Sequence, residues 1–319
     1  MKIRPFTATD ADYAAFFAVF DAVWVDQKVD PDHFRHHDAG WNSDYLYARL
    51  LAEEDGQVVG VAIGMEGWWL TEPGSFYLNV LVHPDWRRRA IGSELYRSIQ
   101  AGIRTTGKPI CQYTAETRAD QAGGLAFLAR HGYSEQSRYP RSELQLADVD
   151  WSRLASSDAR MAELGITIEP LSELMASHPD WREQLYELEW IFEQDEPSPD
   201  EHNKMPFDVW CQRRLETPLF RPEGWFVALA EGRFVGMSCL WPNRQMTERM
   251  HTGWTGVDRP FRRQGVATAM KLRAAAFARS RGATHIRTDN HEENWMYQIN
   301  LRLGFKPLPA IVAFKKDVT

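Results

Sequence analysis

The chain repeats itself. Val82-His83-Pro84-Asp85-Trp86-Arg87-Arg88-Arg89-Ala90-Ile91-Gly92-Ser93 aligns without gaps with Val257-Asp258-Arg259-Pro260-Phe261-Arg262-Arg263-Gln264-Gly265-Val266-Ala267-Thr268. Upstream, Asp55-Gly56-Gln57-Val58-Val59-Gly60 echoes Glu231-Gly232-Arg233-Phe234-Val235-Gly236. Downstream, Leu128-Ala129-Arg130-His131-Gly132-Tyr133 echoes Asn300-Leu301-Arg302-Leu303-Gly304-Phe305. Three landmarks in one order, at nearly one separation, mean a duplicated unit. The 319 residues suit two domains, at ~100–200 residues for each.

Each copy reads the same way. A short strand opens it (Lys2-Ile3-Arg4; Ile166-Thr167-Ile168-Glu169), and a helical stretch with capping signals follows, Thr9-Asp10 in one copy and Pro179-Asp180 in the other. An acid-Gly pair between β-branched or aromatic runs predicts a hairpin. A third strand ends at Val82 or Val257, a helix begins near Arg89 or Gln264, another strand spans 109–116 or 284–289, and a second helix ends at the Gly-aromatic pair. The fold class is therefore α/β with a mixed sheet flanked by helices, in tandem. The expected domains are 1–147 and 165–319, with 148–164, of mixed polarity, as the linker.

Composition sets limits on function. Apolar residues make up 44% and charged residues 25%, enough for two ordinary cores. A net charge of −7 argues against a nucleic-acid or anionic-membrane partner. The three cysteines, Cys111, Cys211 and Cys239, are widely spaced with no CxxC, so neither a disulfide framework nor a metal site is expected, and a reducing cytoplasm fits. No apolar run approaches the ~20 residues a bilayer span needs.

The chemistry lies in the strand–turn–helix segment 255–268. A helix start presents unpaired backbone N–H groups and the positive end of the macrodipole. Gly265 and Ala267 let a phosphate approach the backbone, and Arg262 and Arg263 add charge; together these form a diphosphate cradle. GxxxxGK[ST] is absent, as is GxGxxG with an acidic partner, which disfavours nucleoside triphosphates and dinucleotides.

At these residues the sequence resembles the GNAT superfamily of acyl-CoA N-acyltransferases. The family signature is [RQ]-x-x-G-x-[GA] after the fourth strand, and Arg262-x-x-Gly265-x-Ala267 matches it. Ile3-Arg4-Pro5 with Thr9-Asp10-Ala11-Asp12, and the closing helix with its Gly-aromatic end, match as well. The resemblance covers almost the whole chain in two copies and implies tandem GNAT domains, each a mixed, mostly antiparallel sheet. It implies acetyl-CoA as cosubstrate, with its diphosphate on the amides of Arg263, Gln264, Gly265, Val266, Ala267 and Thr268. Pantetheine would lie between the fourth and fifth strands near Thr255 and Val257, and the Val257 N–H would polarise the thioester carbonyl.

The copies differ in their chemistry. In the first, Ala90 stands where the signature has Gly, so Val82, Arg87, Arg88, Arg89, Ala90, Ile91, Gly92 and Ser93 form a second, imperfect cofactor site. In the second, the last helix carries Asn290, Asn294, Tyr297 and Asn300 where the first has Arg118, Ala122, Leu125 and Leu128. Asn294 is a candidate cofactor ligand or a helix cap. Many family members place a Tyr where Asn300 stands, as the acid that protonates the leaving thiolate; Tyr297 lies one turn earlier. An attacking amine must be neutral, so a base is needed. His251 is the candidate; strict alternation would put it on one face with Gly253, Thr255 and Val257, and Phe76 is its gap-free counterpart. Glu248, Asp289, His291 and Glu292 are lesser candidates.

The acidic run 193–201 would attract a cationic amine, and Trp190, Phe192, Trp210, Trp241 and Trp254 offer an apolar wall. The expected function is acetyl transfer to a small-molecule amine in the second domain, the first being a degenerate copy. A non-catalytic acyl-CoA sensor is the alternative, and a tRNA-dependent transfer is disfavoured by the net acidity.

Overall fold

Each acid-Gly pair of the repeat turns a hairpin. Asp55 and Gly56 are both left-handed (φ 49° and 78°), as are Glu231 and Gly232 (φ 50° and 75°). Two successive left-handed residues match the twist of antiparallel strands. The computed structural model describes residues 1–67, 73–197 and 202–318.

In chain order the elements are β1 (Lys2–Pro5), α1 (Asp10–Val23), α2 (Pro31–Ala39), β2 (Tyr47–Glu54), β3 (Gln57–Glu66), β4 (Ser75–Val82), α3 (Ile91–Thr105), β5 (Gln112–Arg118), α4 (Ala122–Arg130) and β6 (Ser134–Gln145). Then follow α5 (Ser152–Glu163), β7 (Ile166–Pro170), α6 (Leu171–Leu174), α7 (Trp181–Asp195), α8 (Phe207–Arg214), β8 (Trp225–Ala230), β9 (Arg233–Pro242), β10 (Arg249–Val257), α9 (Val266–Ser280), β11 (His285–Asp289), α10 (Trp295–Leu303) and β12 (Lys306–Asp317).

Two compact units interleave along the sequence. Among the described residues, the first gathers 1–67, 73–137, 202–204 and 311–318, and the second 138–197 and 205–310. The first unit's strand order is β1-β2-β3-β4-β5-β12, and the second's is β6-β11-β10-β9-β8-β7. Residues 311–317 of the last strand pair antiparallel with β5, so the C-terminal strand completes the first unit's sheet. The segment 148–164, expected as a linker, contains α5, whose Leu154 and Met161 pack into the second unit's core.

In the first unit, α3 lays Ile91, Leu95, Ile99 and Ile103 over Phe76 and Leu78, while Phe16 of α1 covers Leu51, Val61 and Leu81 on the opposite face. In the second, α9 packs on Val235, Leu240 and Val257, and α7 and α8 cover Val227, Met237 and Cys239. Each such fully buried side chain is worth about 1.5–3 kcal/mol. The repeated glycines Gly60 and Gly236 let the helix approach: a Cβ there would lie 2.9 Å from Leu95 and 3.0 Å from Met270 respectively.

Among the described residues, each unit has one parallel contact between neighbouring strands, and it is short. β4 pairs with β5 only at Ser75–Tyr77, and β10 with β11 only at Arg249–His251. Beyond those residues the paired ladder stops and the strands part. The units differ at one point. β3–β4 runs in unbroken register, whereas β9–β10 slips between Thr252 and Thr255, leaving Gly253 and Trp254 opposite Cys239. This is a β-bulge, held by the Trp254 N–H donating to Cys239 Sγ at 3.1 Å.

Candidate acyl-CoA clefts

A cleft of about 510 Å³ opens in the second unit where β10 leaves β11. Thr255 and Val257 line its floor, Phe192, Asp195, Glu196 and Pro197 one wall, and the start of α10 the other. At its mouth the chain enters α9 through Arg263 (φ 64°) and Gly265 (φ 95°), both left-handed. That conformation costs a non-glycine residue roughly 1–2 kcal/mol. The first amides of a helix lack intrahelical partners, so the start of α9 combines free N–H groups with the positive end of the helix dipole, a setting suited to an anion. The arginine of the signature braces the turn: Arg262 Nε donates to the Val257 carbonyl at 2.8 Å, and Arg262 also pairs with Asp195. Arg259 grips the same carboxylate at 2.7 Å. Hydrogen bonds from Arg259, then from Arg262, hold the Asp195 carboxyl below its ordinary range, against the opposing effect of burial.

Thr255, Val257, Arg262, Arg263, Gly265, Val266, Ala267, Thr268 and Asn294 all line this cleft. Gln264 does not; its amide reaches back to the Pro260 carbonyl at 3.1 Å. Asn294 is the N-cap of α10, its side chain accepting from the Met296 N–H at 2.9 Å. Asn300 is fully buried and donates to Asn290 at 2.8 Å, so it is part of the core and not of the lining. Tyr297 is half-buried and also outside the lining. Phe192 and Trp254 supply apolar wall, while Trp210 is packed in the core. Ser198 to Glu201 of the acidic run lie outside the described residues.

His251 is not on the face expected for it. The bulge inserts one residue between Thr252 and Thr255, and a one-residue slip reverses every side chain beyond it. Thr255 and Val257 face α9. His251 shares the α7 face with Gly256, on which the Phe192 ring sits so closely that a Cβ would lie 2.3 Å from it. On that face His251 Nε2 meets Asp289 Oδ1 of β11 at 3.2 Å. Burial works to raise the Asp289 carboxyl, but the His251 hydrogen bond and the charges of His251 and Arg141 prevail and hold it below its ordinary value. Neither residue lines the cleft itself. Glu196 does, and it lies within the electrostatic reach of Asp289: burial, then the Asp289 charge, push its carboxyl up, and the Asn294 amide opposes them. Sequence reasoning placed Glu196 in a steering run and missed it as a cleft carboxylate. The signal was its position just past the end of α7, before Pro197.

The first unit has a cleft of the same size, about 510 Å³, at the equivalent splay of β4 and β5. Val82, Arg87, Arg88, Ala90, Ile91, Gly92 and Ser93 line it; Arg89 does not, its guanidinium lying 4.7 Å from the Trp86 ring centre. Arg88 (φ 66°) and Ala90 (φ 61°) repeat the left-handed turn despite the missing glycine. Arg87 Nε braces it on the Val82 carbonyl at 3.2 Å.

A mixed sheet parted beside its parallel strand pair, with an arginine-braced helix start at the mouth, recurs in both units. The family model for the acetyltransferase (GNAT) family matches residues 14–133 and again 182–305, and the chain belongs to that family. A tandem GNAT protein from the clavulanic acid biosynthesis pathway is similar in structure, with TM-score 0.73, 18% identity, and coverage of 99% of this chain and 98% of that one. A GCN5-related N-acetyltransferase from Sphaerobacter thermophilus gives TM-score 0.70 at 17% identity, covering 99% and 95%. N-myristoyltransferase of Saccharomyces cerevisiae with bound myristoyl-CoA gives 0.63 at 11% identity, covering 98% and 82%. No curated protein matches the sequence. Among the described residues no helix is long and apolar enough to cross a membrane, and no group of His, Cys, Asp and Glu is placed to hold a metal ion.

Proposed function

We propose that this protein is a cytoplasmic, acetyl-CoA-dependent N-acetyltransferase acting on a small primary amine, with transfer in the second unit's cleft. The observation that carries the reading is the entry to α9: Arg263 and Gly265 left-handed, Arg262 braced on Val257, and the cleft running from that point between β10 and α10. A diphosphate on those amides directs the pantetheine arm along Thr255 and Val257.

The chemistry needs a place for one proton. An aliphatic ammonium has a pKa near ~10 by analogy with lysine and must lose a proton before attack. Glu196, in the lining, attracts the ammonium and is its first proton acceptor. His251, oriented by Asp289, is the second: with Nε2–H donated to Asp289, Nδ1 carries the lone pair. The neutral nitrogen then bonds to the acetyl carbonyl carbon, the C–S bond breaks, and the departing thiolate takes up the remaining amine proton. None of the three cysteines lines this cleft, in keeping with direct transfer.

The test is thiol release from acetyl-CoA across a panel of amines. For the best acceptor, Glu196→Gln and His251→Gln each lower kcat, together by ~10²–10⁴-fold. Thr268→Glu, an anion in the first turn of α9, raises the KM for acetyl-CoA. Unchanged kcat/KM in all three variants refutes the reading.

A further inference from the structure

The bulge in β10 changes which residues of the two copies correspond. Counting without gaps from Val82 and Val257, His251 falls on Phe76, a buried core residue under α3. The ladders give a different answer. His251 pairs in parallel register with Arg287 of β11, two residues before Asp289. Tyr77 pairs in parallel register with Thr114 of β5, two residues before Glu116. The unbulged β4 is one residue shorter over this stretch, so Tyr77 is the counterpart of His251, and Glu116 that of Asp289. The side chains agree: Tyr77 Oη donates to Glu116 Oε1 at 3.1 Å, as His251 meets Asp289 at 3.2 Å. Asn79 Nδ2 donates to the same phenol oxygen at 3.0 Å, which leaves the phenol proton directed at Glu116.

We infer that the first unit is a second acyl-transfer site, with Glu116 as its general base and a small primary amine bearing a hydrogen-bond acceptor as its substrate. Glu116 and Asn79 line the first cleft directly, and Ser93 and Gly92 line it at the helix α3 mouth. The carboxylate thus shares one 510 Å³ space with the diphosphate turn. Trp24 forms part of the wall, and its indole N–H is buried without a hydrogen-bond partner among the described residues. A carbonyl, hydroxyl or carboxylate oxygen next to the substrate amine would satisfy it. Glu116 takes one proton from the ammonium; nitrogen adds to the thioester carbonyl; the C–S bond breaks, and the thiolate leaves with the second proton. The products are amide, coenzyme A thiol and protonated Glu116, which returns its proton to water.

This inference needs family membership but not the second-unit mechanism. The experiment uses the full chain with the second cleft blocked by Thr268→Glu. A glutamate in a first helical turn suits the macrodipole, so the fold is kept while a diphosphate is repelled. Thiol release from acetyl-CoA is measured with α-amino acids, amino sugars and simple alkylamines, and acetyl-CoA binding by calorimetry. In T268E, release continues with an acceptor-bearing amine and not with alkylamines. Adding Glu116→Gln lowers that remainder ~10²–10⁴-fold with acetyl-CoA binding kept. Adding Tyr77→Phe removes a hydrogen bond that favours the carboxylate, so the acid limb of kcat/KM moves to higher pH. Ser93→Glu abolishes the remainder. The inference is overturned if T268E still binds acetyl-CoA yet releases no thiol with any amine, or if E116Q leaves the remainder intact. If the remainder depends on Glu116 while H251Q and E196Q change nothing, the second-unit reading fails and this one stands.

Discussion

Lys271 is a buried cation with no carboxylate partner among the described residues, and replacing it tests how the second unit is built. It sits on α9, 6% exposed, sharing a cavity of about 10 Å³ with Ser238, Thr252 and Leu240. Among the described residues no carboxylate lies within ion-pair distance of it; its ammonium lies 5.7 Å from the Phe305 ring centre. Burial pushes the ammonium down from 10.5 to about 8, the nearby Cys239 opposing weakly. A folded-state value below the unfolded one means that stability is greatest above 10.5 and is lost as the pH falls towards 8, remaining level below that. At about 1.4 kcal/mol per pH unit, the charged lysine costs the native state about 3 kcal/mol at neutral pH. Lys271→Met, of similar length, should recover most of this at pH 7 and little at pH 10.5. Urea unfolding of both proteins from pH 7 to 10.5, following the transition that the substitution moves, reads the difference directly. A stability gap that is the same at both ends of the range would refute the reasoning, because packing alone does not titrate.

Three further outcomes follow from the clefts. Trp295 is 70% exposed at the mouth of the second cleft, with the Arg263 guanidinium 5.7 Å from its ring centre, so it offers the adenine of coenzyme A a stacking surface. Trp295→Ala should weaken acetyl-CoA binding by about 1–3 kcal/mol and leave acetyl-pantetheine kinetics unchanged; equal losses with both donors would count against stacking. Gly256→Ala drives a methyl into the Phe192 ring, and overpacking of this kind costs about 1–3 kcal/mol; a lowered melting temperature with a raised KM for the amine is expected, and Phe192→Leu in the same chain should restore part of both. Ala90→Gly relieves a left-handed alanine and should stabilise the first unit by about 1 kcal/mol in chemical denaturation, since only glycine adopts that conformation without penalty.

Much of this architecture was written locally. The repeat, the hairpin turns at Gly56 and Gly232, the Thr9 cap on α1 and the turn into α9 all depend on residues within a few positions of one another, and each is where the sequence puts it. The bulge was not legible, because it depends on a contact between Cys239 and Trp254 on different strands, and alternation read along one strand cannot register an inserted residue. The same slip hid the Tyr77–Glu116 pair behind Phe76. Asn300 resembled a catalytic position by spacing from Gly304, yet its partner is Asn290, at the end of β11 and ten residues away, so a spacing rule alone could not separate core from cleft. The polar look of 148–164 concealed α5, whose buried side consists of only a few residues, among them Leu154 and Met161.

The pairing of 311–317 with β5 also dictates an order of events during synthesis. The first unit's sheet lacks its last strand until the whole second unit has left the ribosome, a delay of roughly 10–40 s at ~5–20 residues per second. Until then the outer edge of β5, with Tyr113 and Ala115 in its register, presents unpaired backbone groups that invite a foreign strand. A nascent chain halted before Ile311 should therefore be a chaperone client and prone to aggregate, although every residue of the first cleft has already been made.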